Sequence, residues 1–187
     1  LIYASSSSVY GNTSEVPFKE TASTDQPVSI YAATKRSNEL MAYTYSALYH
    51  LETIGLRFFT AYGPYGRPDM APMIFARAIH KNETIKIFNH GDLARDFTFV
   101  DDIVEGIIKI ITTPGIKHEI HPGIPAAVYN IGHGSPVKLL DFIHLLEKNF
   151  GKTAPKEFVD MQPGDVHHTW ADTTHLKEDY NYYASTT

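Results

Sequence analysis

Apolar and polar positions along this 187-residue chain follow two different periods in turn. "LIYASS" at the start is a short apolar run without alternation that becomes polar at its end. That is the pattern of a parallel strand covered on both faces, ending at the sheet edge where ligands bind. After the turn-rich "GNTSEVPFKETASTDQPVS", the segment "IYAATKRSNELMAYTYSALYH" repeats apolar and aromatic residues at three and four among good helix formers, predicting a long helix. "IGLRFFTAYG" reads as a second strand, introduced by Gly55 and closed by the loop "GPYGRPDM". A helix from about Pro72, a short strand "IKIF", an amphipathic helix "DDIVEGIIKIITT" and a strand "AVYNIG" follow. In "SPVKLLDFIHLLEKNFG", Ser135 is expected to cap a helix, Pro136 to be its first position and Gly151 to lie just past its end. The tail from Lys152 has weak periodicity and is expected to be loop.

Strands and helices taking turns predict a parallel α/β sheet. A sheet of this kind that binds a dinucleotide carries a glycine-rich turn after its first strand. No G-x-x-G-x-x-G is present, and "GDLARDF" and "GHGSP" stand in the wrong setting. Leu1 is therefore expected to open a middle strand, with the half that grips a pyrophosphate absent.

Composition narrows the function classes. With 43% hydrophobic and 20% charged residues the proportions are those of an ordinary globular chain. A formal charge of -5 gives no basic face, which argues against nucleic acid or an acidic membrane as partner. Zero cysteines exclude disulfides and thiolate metal sites and fit a reducing compartment, and a cytoplasmic location is expected. No apolar run approaches the length of a membrane span.

Chemistry enters with "YAATK". Tyr31 and Lys35 share a helix face, so an ammonium can sit near a phenol and favour the phenolate. With 12 tyrosines such a pair arises about 0.7 times by chance, so alone it is weak. The serine-rich strand end ahead of it adds hydroxyls that can converge on the same sheet edge. Other residues point to structure: His167 and His168 are adjacent and lack a third ligand for zinc, Asp101 and Asp102 suit the start of a helix, and Trp170 and the late tyrosines suit packing. Arg95 beside Asp96 suits a phosphate, with a structural Arg–Asp pair as the alternative.

Taken in order, "SSSSVYG", "YAATK", "LRFFTAYGPYGRPDM", "RDFTFVDDIVEG", "YNIG" and "PGDVHHTWAD" resemble the extended short-chain dehydrogenase/reductase family of nucleotide-sugar epimerases, most of all the UDP-glucuronate 4-epimerases. The resemblance runs to about Asp172. It implies the carboxyl-terminal part of a Rossmann-type parallel sheet plus a smaller mixed α/β substrate domain. The sheet part would comprise 1–61, 95–113 and 126–133, and the nucleotide-sugar part 62–94, 114–125 and 134–187. It further implies NAD as cofactor, a UDP-sugar as substrate and a homodimer as assembly, through the "YAATK" helix, whose Leu40, Met41 and Tyr45 suit core packing equally well. Ser6, Tyr31 and Lys35 would be catalytic. Ser5, Tyr31, Lys35 and Phe59 would touch the cofactor, and Ser6, Ser8, Thr60, Arg67, Phe88, Arg95 and Asp165 the substrate.

The same resemblance implies the chemistry: Tyr31 as phenolate accepts the C4 hydroxyl proton, Lys35 stabilises it, and Ser6 holds the C4 oxygen. A dehydratase is disfavoured because Ser7 and Ser8 stand where such enzymes carry an Asp–Glu pair. A UDP-glucuronate decarboxylase is disfavoured by Ser8, where its relatives carry an acidic residue. A UDP-glucose/UDP-galactose 4-epimerase has no use for Arg67, which can pair with a C6 carboxylate but reads also as a solvated loop residue. A reading of another class also stays open, a non-catalytic UDP-sugar-binding fragment. The chain by itself is expected to retain little NAD+ and to show no turnover.

Overall fold

The structure, a computed structural model, describes residues 1–13, 15–162 and 164–186. Its centre is a parallel sheet of three strands in the order β1 (Ile2–Ser6), β2 (Thr53–Phe58) and β7 (Ala126–Ile131). The register pairs Ser5 with Arg57 and Arg57 with Asn130, so these three polar residues line up on one face. The opposite face presents Ile54, Leu56, Tyr129 and Ile131, because successive side chains on a strand alternate.

The long helix α1 (Ile30–Tyr49) covers the polar face. Ser29 caps it, its hydroxyl accepting from the Ala32 N–H at 3.1 Å, and His50 ends it in the left-handed region at φ 54°. On the apolar face, α3 (Val100–Thr112) and α5 (Thr174–Tyr180) bury Ile103, Ile110, Leu176 and Tyr180 against Leu56 and Tyr129. Gly106 on α3 has its Cα close to the Tyr182 ring and Ile131, where a Cβ would lie 2.9 Å from the Ile131 side chain. Asp101 and Asp102 stand in the first turn of α3, and Asp102 accepts from the Thr186 N–H at 3.0 Å.

A second apolar cluster lies around β4 (Ile85–Ile87) and its parallel partner β9 (Lys156–Phe158), where α2 (Ala71–Lys81) and α4 (Leu139–Phe150) contribute Phe75, Ile79, Leu139 and Ile143. Between the clusters run two short ladders. Strands β3 (Thr60–Tyr62) and β6 (Phe97–Phe99) pair in parallel, and β5 (Ala94–Arg95) pairs antiparallel with β8 (Val137–Lys138).

Three expectations need correction. "IGLRFFTAYG" is two strands, because the chain changes partner at its middle: Phe59 donates to Ile131 O of β7, while Thr60 donates to Asp96 O beside β6. The helix expected from Pro136 begins at Leu139 instead, since Val137 and Lys138 are drawn into the ladder with β5. Its end at Gly151, with φ 62°, is as expected. The tail is not all loop: it forms β9 and α5, and α5 closes the main core.

Candidate active site

Strand β1 ends in a single 3-10 turn, Ser7–Tyr10, that Ser6 caps. The Ser6 hydroxyl accepts from the Ser8 N–H at 3.2 Å and lies 3.2 Å from the Ser8 hydroxyl. Because the turn begins at the sheet edge, its hydroxyls face a cavity of about 620 Å³, a size suited to a small organic ligand. Tyr31 and Lys35, from the first turns of α1, line the same cavity. The Tyr31 side chain is half exposed, and Lys35 Nζ stands 5.8 Å from its ring centre. Lys35 Nζ also donates to Ala4 O at 3.2 Å, which uses one of its three donors.

Thr60 and Arg67 also line it, and the buried Phe59 borders it from the core side. Arg67 sits in the loop after β3, three-quarters exposed, and forms a two-pronged pair with Asp69 at 3.1 and 2.5 Å. That pair raises the Arg67 pKa and holds the Asp69 carboxyl below its ordinary range. Ser5 also borders the cavity, but its hydroxyl points the other way and donates to Glu39 Oε1 at 2.5 Å. Its side chain is thus part of the buried layer under α1, so only its main chain is left to meet a cofactor.

Phe88, Arg95 and Asp165 stand outside the lining of this cavity. Phe88 packs on the second apolar cluster at a turn whose Asn89 and His90 have left-handed backbones. Arg95 donates to Asp165 Oδ1 at 2.7 Å and to His167 O at 3.0 Å, and Asn89 Nδ2 lies 3.3 Å from His167 Nδ1, which joins the Phe88 turn to Arg95. The carboxylate partner of Arg95 is therefore Asp165 and not its neighbour Asp96. Asp96 is fully buried and accepts from the main-chain N–H groups of His133, Gly134 and Ala171 at 2.8 to 2.9 Å. Burial pushes its pKa up, against those three donors. Among the described residues no three metal-ligating side chains gather.

A buried polar network under α1 is not among the sequence-based expectations. Glu39 on α1 and Arg57 on β2 form a buried pair, Nε to Oε1 and Nη2 to Oε2 both at 2.9 Å. Arg57 Nη1 donates to the Tyr10 hydroxyl at 2.9 Å, and Tyr10 in turn donates to Asn130 Oδ1 at 2.7 Å. Burial pushes the Glu39 pKa up, but the hydrogen bonds and charge of Arg57, with Ser5 and Arg36, outweigh it and hold the carboxyl below its ordinary range. The one signal in the sequence was an arginine inside the apolar run "IGLRFF", since a charged residue in a central strand needs a buried partner.

Comparison with known proteins places the chain among relatives of known family. The chain is 50% identical to the protein CapI of Staphylococcus aureus over its whole length, covering 59% of that protein. It is 43% identical to the UDP-glucuronate 4-epimerase 2 of Arabidopsis thaliana, again over its whole length, covering 45% of it. The UDP-glucuronic acid 4-epimerase of Bacillus cereus, solved in complex with UDP-glucuronic acid and NAD, superposes with a TM-score of 0.88 at 34% identity, over all of this chain and 56% of that one. The chain thus spans roughly half the length of the relatives it matches. Residues 1–132 match the model of the NAD dependent epimerase/dehydratase family, and the chain belongs to that family.

Proposed function

We propose that the whole protein is an NAD-dependent nucleotide-sugar epimerase that inverts C4 of UDP-glucuronate to give UDP-galacturonate. One observation carries this reading: a single cavity gathers the strand-end hydroxyls of Ser6 and Ser8, the Tyr31–Lys35 pair and the guanidinium of Arg67. The sequence relatives named UDP-glucuronate 4-epimerases support the choice of sugar.

The residues present fit the nicotinamide half of NAD, since Lys35 keeps donors for ribose hydroxyls and Phe59 forms an apolar wall. NAD bound there would supply a hydride acceptor and donor for C4, with no net redox change. Tyr31 takes the proton of the C4 hydroxyl and later gives one back, and Lys35 stabilises the phenolate in between. Ser6 holds the C4 oxygen as it becomes a ketone, positioning it without ionising. Arg67 binds the C6 carboxylate and keeps its bond near the plane of the ketone, where loss of CO2 is slow for want of orbital overlap. Arg95, Asp165 and Phe88, beyond the cavity, are assigned to the UDP moiety. The stripe of Leu40, Met41, Tyr45, Leu48 and Tyr49 on α1 is exposed, not core, and supports a homodimer through that helix.

The test is product analysis by proton NMR with NAD+ and either UDP-glucuronate or UDP-glucose. UDP-galacturonate from the first and little turnover of the second is the expected result. A UDP-pentose as main product, or preference for UDP-glucose, overturns it.

A further inference from the structure

Glu39 lies one helical turn beyond Lys35 and two beyond Tyr31, so the three share a stripe of α1. Its side chain is only 2% exposed and its carboxylate accepts four hydrogen bonds. Two come from the fork of Arg57 at 2.9 Å, one from Ser5 Oγ at 2.5 Å and one from Arg36 Nη1 at 3.1 Å. Ser5 precedes Ser6 on β1 and is the register partner of Arg57 on β2. One carboxylate therefore ties the helix that carries Tyr31 and Lys35 to the strand that carries Ser6.

Stability alone does not account for this arrangement, because a buried ion pair replaced by well-packed apolar residues is often no less stable. What the pair adds is direction. An apolar helix face tolerates sliding by a fraction of a turn, whereas a two-pronged carboxylate–guanidinium pair has one geometry. A shift of α1 by one residue, about 1.5 Å, would break both prongs. Misplacement on that scale by about 1 Å is enough to lower a reaction rate on the order of a hundredfold.

We propose that Glu39 is a positioning residue: by gripping Arg57 and Ser5 it fixes α1 along its axis, and so sets the separation of the Tyr31–Lys35 pair from Ser6. This rests on the reading of the cavity as the active site. Glu39→Asp keeps the charge but shortens the arm by one methylene. Glu147→Asp is the control, because the Glu147 carboxylate on α4 is also buried and charge-paired, by a single contact to Lys156 at 2.5 Å, away from the cavity.

In the whole protein, at a temperature where all variants are folded, Glu39→Asp is expected to lower kcat about tenfold or more while KM for the UDP-sugar stays within about threefold. The control is expected to keep kcat within about twofold. Amide exchange is a second readout that needs no substrate: in Glu39→Asp, residues 30–36 should exchange about tenfold faster or more, with residues 75–79 of α2 unchanged. A kcat within twofold of wild type with unchanged exchange at 30–36 overturns the proposal, as does an equal fall of kcat in the Glu147→Asp control. If the wild-type protein turns over no UDP-sugar, the functional reading fails, and exchange at 30–36 alone decides whether Glu39 holds the helix.

Discussion

Arg67 and Asp69 meet across Pro68 at the rim of the cavity, Nε to Oδ1 at 3.1 Å and Nη2 to Oδ2 at 2.5 Å. The loop thus supplies, from within itself, the kind of group that a hexuronate would bring to the same fork. Both side chains are well exposed, so water screens the pair and a ligand carboxylate can displace Asp69. Asp69→Asn removes the competitor and is expected to lower KM for UDP-glucuronate about two- to threefold. Steady-state kinetics on UDP-glucuronate and UDP-glucose check this, since the neutral sugar should not respond.

Removing the fork itself should act in the opposite sense. Arg67→Ala is expected to lower kcat/KM for UDP-glucuronate about tenfold or more, to release some UDP-pentose, and to leave UDP-glucose nearly unaffected. Chromatography of the products from both sugars decides it. Equal losses on the two, without pentose, would make Arg67 a structural residue only.

Tyr31→Phe removes the hydroxyl proposed to move the proton and nothing of the helix. Turnover is expected to fall about a hundredfold or more, while UDP-sugar affinity measured by calorimetry stays close to wild type. Near-normal turnover would take Tyr31 out of that role.

Much of this architecture is legible in the chain because it is local. The runs "LIYASS" and "AVYNIG", the helix in "IYAATKRSNELMAYTYSALYH" and the stop at Gly151 follow from period and breaker. What the sequence hides depends on partners far along the chain. Ser135 and Pro136 look like a helix start, but pairing of Val137 and Lys138 with Arg95 and Ala94 delays it. The seven residues of α5 are too few to show a period, and their place in the core is set by Leu176 and Tyr180 meeting Leu56 and Tyr129. Arg95 finds its carboxylate 70 residues away at Asp165, and Glu39 finds Arg57 across a helix and a strand. Tyr31 and Lys35 are legible from their spacing of four, and a strand-end hydroxyl can be brought to them because strand and helix are consecutive elements; the choice of Ser6 among the serines is what the family resemblance implies.

The Glu39 pair has a pH signature. A carboxyl held below its ordinary range stabilises the fold above the unfolded value of about 4 and loses that contribution as pH falls through the lower folded value. Glu20 and Asp96, both raised by burial, contribute with the opposite sign. The difference in unfolding free energy between wild type and Glu39→Gln isolates the pair. It is expected to be largest above about pH 5 and to shrink steadily below about pH 4, measured by urea unfolding at each pH. A difference that does not change with pH would contradict the ionised pair.

Gly132, just past β7, has no room for a side chain: a Cβ there would lie 2.6 Å from the Ala171 Cβ. Gly132→Ala is expected to cost about 1–3 kcal/mol through overpacking and to lower the melting temperature by several degrees. Calorimetric melting checks it, and an unchanged midpoint would show that the Ala171 segment gives way freely.

In the proposed reaction one hydride leaves C4 and returns to the other face of the same carbon. UDP-glucuronate carrying deuterium at C4 tests it most directly, incubated with the whole protein and NAD+ in ordinary water and followed by NMR and mass spectrometry. The predicted result is UDP-galacturonate with the deuterium retained at C4. Deuterium exchanged into solvent, or a UDP-pentose formed with loss of CO2, would contradict it.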